Sequence, residues 1–222
     1  MSSERIMEII FLLPGPTLET VFMTFVSTFF ACLMGFPLGI YLYITSPAGL
    51  SPQRVMYNAV SRPVNLFRSI PFIILMVLLI PITRMIVGTS IGPTATIVPL
   101  SLAAAPFVAR ITEAALSEVD IGVITAAKAM GSTKLQIIRK VLIPEAMPAL
   151  IAGLALTIIN LIAYSAMAWA IGGGGLGDLA IRFGFHRFQT DVTIGAVIVI
   201  LILVETVQLA GTLISRRLLS KR

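Results

Sequence analysis

TAAKAMGSTKLQIIRKVLIP, residues 125–144, is the longest polar-bearing interruption in an otherwise apolar chain. Lys128, Lys134, Arg139 and Lys140 all fall within it. Ala126, Ala127 and Ala129 are strong helix formers with little side-chain bulk. Gly131 is placed to end that helix at positive φ. Ser132 is then positioned to cap a second helix through Leu135, Ile138 and Val141, and Pro144 either to stop it or to mark the start of the next. The spacing predicts two short helices around a glycine elbow, outside the membrane and on its positively charged side. Such an elbow fits close docking of another protein. It also fits an ordinary cytoplasmic loop.

The rest of the chain explains why a polar stretch matters. Hydrophobic residues make up 57% of the sequence and charged residues only 12%. Soluble domains carry about a quarter charged residues. The long apolar runs read as membrane spans rather than a soluble core. A net charge of +6 suggests nucleic acid only in a soluble protein. Here the basic residues flank apolar runs, so the lipid bilayer accounts for them and no nucleic-acid partner is expected. Cys32 is the single cysteine, which excludes an internal disulfide or a cysteine metal cluster. The N-terminus lacks a basic n-region, so the first span is expected to act as an uncleaved insertion signal.

Outward from the elbow, five spans are expected. Residues 1–16 form a polar-to-amphipathic lead, broken at Pro14-Gly15-Pro16. The first span covers about 18–44, with Gly35, Pro37 and Gly39 inside it. Ser69–Thr83 alone is short for a hydrocarbon core of roughly 30 Å. The second span therefore starts near 58, with Arg62 or Arg68 at its wet end, and Pro71 and Pro81 are placed to bend it. The third covers about 93–112, the fourth 148–171 and the fifth 192–214. An all-α integral membrane protein follows, with one permease-like domain over 1–222 and a cytoplasmic loop at about 120–146. An odd number of spans puts the termini on opposite sides. With the C-terminus inside, the basic residues favour the cytoplasm three to one: Arg54, Arg62, Arg68, Arg110, the four of the loop, and Arg216, Arg217, Lys221 and Arg222, against Arg5, Arg84, Arg182 and Arg187 outside.

Three features inside or beside the spans are candidates for chemistry. YSAMAWAIGGGGLG (164–177) combines hydrogen-bonding groups with adaptable apolar bulk, so Tyr164, Ser165, Met167 and Trp169 are pathway or gate candidates. Ordinary packing, with Trp169 as an interface anchor, is the plainer alternative. Gly172, Gly173, Gly174, Gly175 and Gly177 form either a flexible turn or a close-packed external mouth. They are not a phosphate loop, because no Lys-Ser/Thr follows and no strand precedes. Glu205 lies within the fifth span, where a carboxylate is expensive. It is either a proton or ammonium site, or protonated or paired with Gln208, Asn160 or a hydroxyl. Glu19 is expected at the outer interface and His186 in solvent. The residues offer no Ser-His-Asp set, carboxylate pair or metal cluster, so the chain is expected to be no enzyme and to hold no cofactor or metal.

The loop resembles the cytoplasmic loop of inner-membrane permease subunits of ATP-binding-cassette importers. That pattern runs Glu-Ala-Ala, three residues, Gly, nine residues, Ile, any residue, Leu-Pro. Here Thr125, Ala126 and Ala127 are followed at the right intervals by Gly131 and then by Val141, Leu142, Ile143 and Pro144. Thr125 replaces the family's Glu, and Val141 and Ile143 are milder departures. Further runs, FRSIPFIILMVLLIPITRMIVGTSIG (67–92), PFVAR (106–110), AAKAMGSTKLQIIRKVLIPEAMP (126–148), YSAM (164–167) and GGGGLG (172–177), resemble the bacterial methionine-uptake branch. The resemblance implies a type I importer permease of the inner membrane, paired with a second copy of itself. It further implies two cytoplasmic ATPase subunits holding ATP and Mg and docking on the loop, a methionine-binding protein outside, and Met167 at the outer gate. The competing class is a secondary transporter or channel subunit driven by an ion gradient through Glu205. A membrane scaffold leaves the loop spacing unexplained.

Overall fold

The computed structural model describes residues 3–220, and every element among them is helical. Four helical stretches are long and apolar enough to cross a membrane: Met7–Thr45, Pro93–Ser117, Lys134–Ile171 and Thr190–Leu219. Arg54–Ser69 and Phe72–Leu78 make a further candidate, bent by 104° at their junction. Only helices of this kind satisfy their own backbone in hydrocarbon. Lys221 and Arg222 of the expected basic tail lie outside the described residues.

Helix α1 (Ser3–Leu12) occupies the expected lead, and the chain breaks at Leu13, just ahead of Pro14. The lead is thus a helix of its own, because Ile9, Leu12 and Leu13 find an apolar seat against Val192 and Ala196. Helix α2 (Pro14–Thr45) starts four residues before the expected 18, since proline suits a first helical turn. Its Gly35 and Gly39 meet helix α6 (Pro93–Ser117) at Ala105, Val108, Ala109 and Thr112. A Cβ on Gly35 would stand 2.5 Å from the Ala105 carbonyl oxygen. Small residues four apart let two backbones approach, which is what drives helix association where lipid is as apolar as leucine. Helix α6 runs on to Ser117 rather than stopping near 112.

The second span departs most from expectation. Helix α3 (Arg54–Ser69) begins four residues early, and the sharp bend at Ile70–Pro71 separates it from α4 (Phe72–Leu78). A second break at Leu79, ahead of Pro81, starts α5 (Ile80–Val87). Pro71 and Pro81 thus act as expected, since proline cannot continue a preceding helix. A buried network fastens α3 to α6. Arg110 Nη1 donates to Glu113 Oε2 at 2.6 Å and to the Tyr57 hydroxyl at 3.3 Å, and Nη2 donates to the Ser61 carbonyl at 3.1 Å. Arg110 and Glu113 are therefore structural clasps rather than a wet helix end.

Beyond α6, α7 (Ile121–Ala129) and α8 (Lys134–Ile137) flank Gly131. Pro144 stands in the first turn of the next helix, α9 (Ile143–Met167), one of its two expected places; a π-helical turn, Ile138–Leu142, joins α8 to it, so the fourth span starts at 143 rather than 148. The wider turn, closed by the Ile143 N–H on the Ile138 carbonyl, accommodates a proline that lacks an N–H. Helix α9 ends in a 3₁₀ turn, Ala168–Ile171. Beyond the glycines, α10 (Gly175–Leu179) and a π-helical turn, Ala180–Phe185, replace much of the expected polar loop. Helix α11 (Thr190–Leu219) closes the chain. It packs on α9 through Gly211 against Ala155, and Ser215 Oγ donates to the Pro148 carbonyl at 3.0 Å.

Candidate functional site

The elbow is braced from beneath and open above. Ile124 and Ala127 on α7 pack with Ile137, Leu142, Ala115 and Leu116. Ala127, expected on the docking surface, is therefore a core residue, only 3% exposed. Thr125, Ala126, Ala129, Gly131 and Pro144 are exposed, and Val141 and Ile143 are half-buried. Ile121, Met130 and Leu135 expose 75%, 79% and 57% of their surface, so the outward face is apolar as well as small.

Local hydrogen bonds fix this shape. The Asp120 carboxylate accepts from the Gly122 N–H and caps α7. Gly131 has φ +78°, the left-handed value expected of it, and no atom of this chain lies within 4 Å of where its Cβ would be. The second cap is Thr133, not Ser132. Thr133 Oγ1 accepts from the Gln136 N–H at 3.3 Å, and Gln136 Oε1 accepts from the Thr133 N–H at 2.7 Å. This capping box needs Gln three residues after the cap, which Thr133 has and Ser132 lacks. Thr125 Oγ1 donates to the Ile121 carbonyl at 2.8 Å, so its hydroxyl is spent within its own helix.

Among the helices lies a cavity of ≈ 290 Å³. It opens at the α3–α4 bend and is lined by Arg68, Phe72, Leu75, Phe107, Asn160 and Tyr164, among others. Phe72 and Tyr164 stack with ring centroids 4.5 Å apart and planes 7° apart. Of the expected pathway residues, only Tyr164 lines this space. Ser165 is 2% exposed and donates to the Ile162 carbonyl at 2.7 Å within its own helix, so it turns away. Met167 and Trp169 sit farther along, 42% and 39% exposed. Arg68 is exposed in the last turn of α3, a helix end as expected for it. It borders the same cavity as Phe107, near the middle of α6, and as Asn160 on α9. Arg68, Phe72 and Phe107 escaped the sequence reading because they lie far from the 164–177 run. Proline at 71, between Arg68 and Phe72, was the available signal.

The glycine run is a knot rather than a loose turn. Gly172, Gly174 and Gly175 hold positive φ. Glu19 Oε2 accepts from the Gly175 N–H at 2.7 Å, and Thr20 Oγ1 accepts from the Leu176 N–H at 2.9 Å. Glu19 ties the first span to this run. Gly173 lies against Thr96 and Ala168, and Gly177 against Ala166, so side chains there would collide with neighbours. His186 is exposed, as expected. Glu205 has neither expected partner: it is exposed on the side of α11 away from Gly211, Gln208 bonds Thr212 at 3.3 Å, and Asn160 lines the cavity.

Helices long and apolar enough to cross a membrane, with an exposed elbow and a cavity bordered by polar groups, are the arrangement of a membrane permease, the pathway-forming component of a transporter. The family model for the binding-protein-dependent transport system inner membrane component matches residues 35–220. The chain belongs to that family. It is 46% identical over 206 residues to the probable D-methionine transport system permease protein MetI of Vibrio cholerae, covering 93% of this chain and 92% of the relative. With the D-methionine transport system permease protein MetI of Escherichia coli (strain K12) it shares 55% identity over 149 residues, 67% of this chain and 69% of that one. Among solved structures it resembles an inward-facing conformation of the MetNI methionine ABC transporter. There the TM-score is 0.92 at 47% identity, over 98% of this chain and 99% of the other. The fold is thus that of a type I importer permease of the inner membrane, and the ATP-hydrolysing subunit is a separate chain.

Proposed function

We propose that two copies of this chain form the pathway for ATP-driven methionine uptake across the bacterial inner membrane. Two cytoplasmic ATPase subunits, holding ATP and Mg, dock on the elbow around Gly131, and an extracytoplasmic methionine-binding protein loads the pathway. The observation that carries this reading is the elbow itself. Its apolar groups Ile121, Met130 and Leu135 face out of the chain beside a glycine whose missing side chain serves no neighbour within the chain. Exposed apolar surface rimmed by charge marks a protein contact. Lys128, Arg139 and Lys140, all exposed, supply that rim.

The braced elbow also accounts for how force would travel. Ala127 and Ile124 lock α7 onto Ile137 and Leu142, and α8 runs without a stop into α9. A push on the elbow therefore moves α9, which carries Asn160, Tyr164 and Met167, as one lever. The 104° bend gives α4 and α5 freedom to shift against it. Methionine is the substrate named for the matched relatives, and the full-length likeness supports carrying it to this chain. Purifying the chain from its host in mild detergent tests the assembly. A stoichiometric ATPase is expected, and isolation of the chain alone from several detergents would reject it.

A further inference from the structure

We infer that the cavity at the α3–α4 bend is a recognition site for the amino acid in transit, with Arg68 as its carboxylate anchor; this rests on the methionine reading above. Three polar groups border the cavity, and none has a side-chain partner among the described residues: the Arg68 guanidinium, the Asn160 carboxamide and the Tyr164 hydroxyl. Arg68 is exposed in the last turn of α3, at the mouth of the cavity, and no hydrogen bond or ion pair ties it to the described residues, whereas Arg110 is held by Glu113, Tyr57 and Ser61.

The wall opposite is apolar and aromatic. Phe72 stacked on Tyr164, with Phe107 and Leu75, offers ring faces and edges to a slender, polarizable chain. Sulfur makes favourable contacts with aromatic rings. A guanidinium fork pairs with a carboxylate through two parallel hydrogen bonds. An α-amino group can donate to the Asn160 carbonyl oxygen or to the Tyr164 hydroxyl oxygen. The volume of ≈ 290 Å³ is near the lower end of the roughly 300–1,000 Å³ usual for small-molecule pockets, suited to one small zwitterion. The cavity therefore selects a free α-carboxylate with an unbranched apolar side chain, and it discriminates against carboxyl-blocked analogues.

The test uses the intact permease–ATPase complex in proteoliposomes and a photoreactive diazirine analogue of methionine, with labelled peptides mapped by mass spectrometry. Label is expected in segments 67–75, 103–107 and 160–164 of this chain. Excess methionine should remove it and methionine amide should not. Arg68→Gln should cut labelling at least tenfold while ATPase co-purification stays unchanged; Arg68→Lys should restore part of it. Tyr164→Phe and Asn160→Ala should give smaller losses. Label elsewhere in the chain, or equal competition by the amide, overturns the site. Wild-type ATP-driven methionine uptake is measured in the same vesicles. Uptake with an unlabelled cavity overturns the site alone, whereas absence of uptake overturns the substrate reading and the site with it.

Discussion

At the Gly131 elbow the capping and hydroxyl groups already bond backbone; at the cavity by the α3–α4 bend the polar groups stand unpaired. Asp120, Thr125, Thr133 and Gln136 all bond backbone within the elbow, which leaves an apolar, shape-defined surface. Around the cavity, Arg68, Asn160 and Tyr164 have no side-chain partner among the described residues. The first arrangement suits a permanent protein contact, in which the surface must keep one shape. The second suits a passing solute, whose own polar groups complete the hydrogen bonding and then leave. The two regions share α9, so what happens at one reaches the other.

The largest effect that would break this contrast is expected at Gly131. Gly131→Asp should abolish ATPase association while the chain still inserts in the membrane, read as co-purification from solubilised membranes. Since no atom of the chain crowds that position, the loss should come from strain at φ +78° and from the partner's side. Gly131→Ala separates the two, and should retain part of the association. Wild-type-like co-purification of the aspartate variant would remove the elbow from the account.

Next in size is the clasp on α3. Arg110→Met leaves Glu113 buried without its partner and should destabilise the fold by about 3 kcal/mol. A lower unfolding temperature of the detergent-solubilised complex is the readout. If α3 were an independent surface helix, the temperature would not move. Thr133→Ala removes one half of the capping box and should cost about 1 kcal/mol. Its expected signature is a small fall in unfolding temperature together with weaker ATPase retention, because the cap shapes the docking surface. The smallest effect is expected at Glu205. Glu205→Gln should change ATP-driven uptake less than twofold, since the residue faces out of the chain on α11, away from the cavity. Loss of transport with normal assembly would make that carboxylate the coupling site instead.

The same contrast explains what was legible in the sequence. The elbow lies in one continuous stretch, so the interval from Ala127 to Gly131 to Pro144 carried its geometry directly. The error there was local: Thr133 wins the cap because Gln136 completes the box. The cavity is assembled from segments near 68, 105 and 162, and no spacing within any one of them signals the others. Arg68 could be read as a helix-end residue but not as a neighbour of Asn160 and Tyr164. The bond from Glu19 to Gly175 was likewise hidden, since it spans 156 positions. Spans came through well because hydropathy is additive along the chain, and Pro71 marked where the second would bend but not that the angle would be 104°.

The central claim is that a separate ATPase drives this pathway. Proteoliposomes holding the chain with its co-purified partners and the external binding protein test it most directly, through radiolabelled methionine uptake under two energy sources. Uptake that requires ATP and Mg, and persists when the proton gradient is collapsed, is the predicted result. Uptake that ignores ATP, follows an imposed proton gradient and fails in Glu205→Gln would contradict the account.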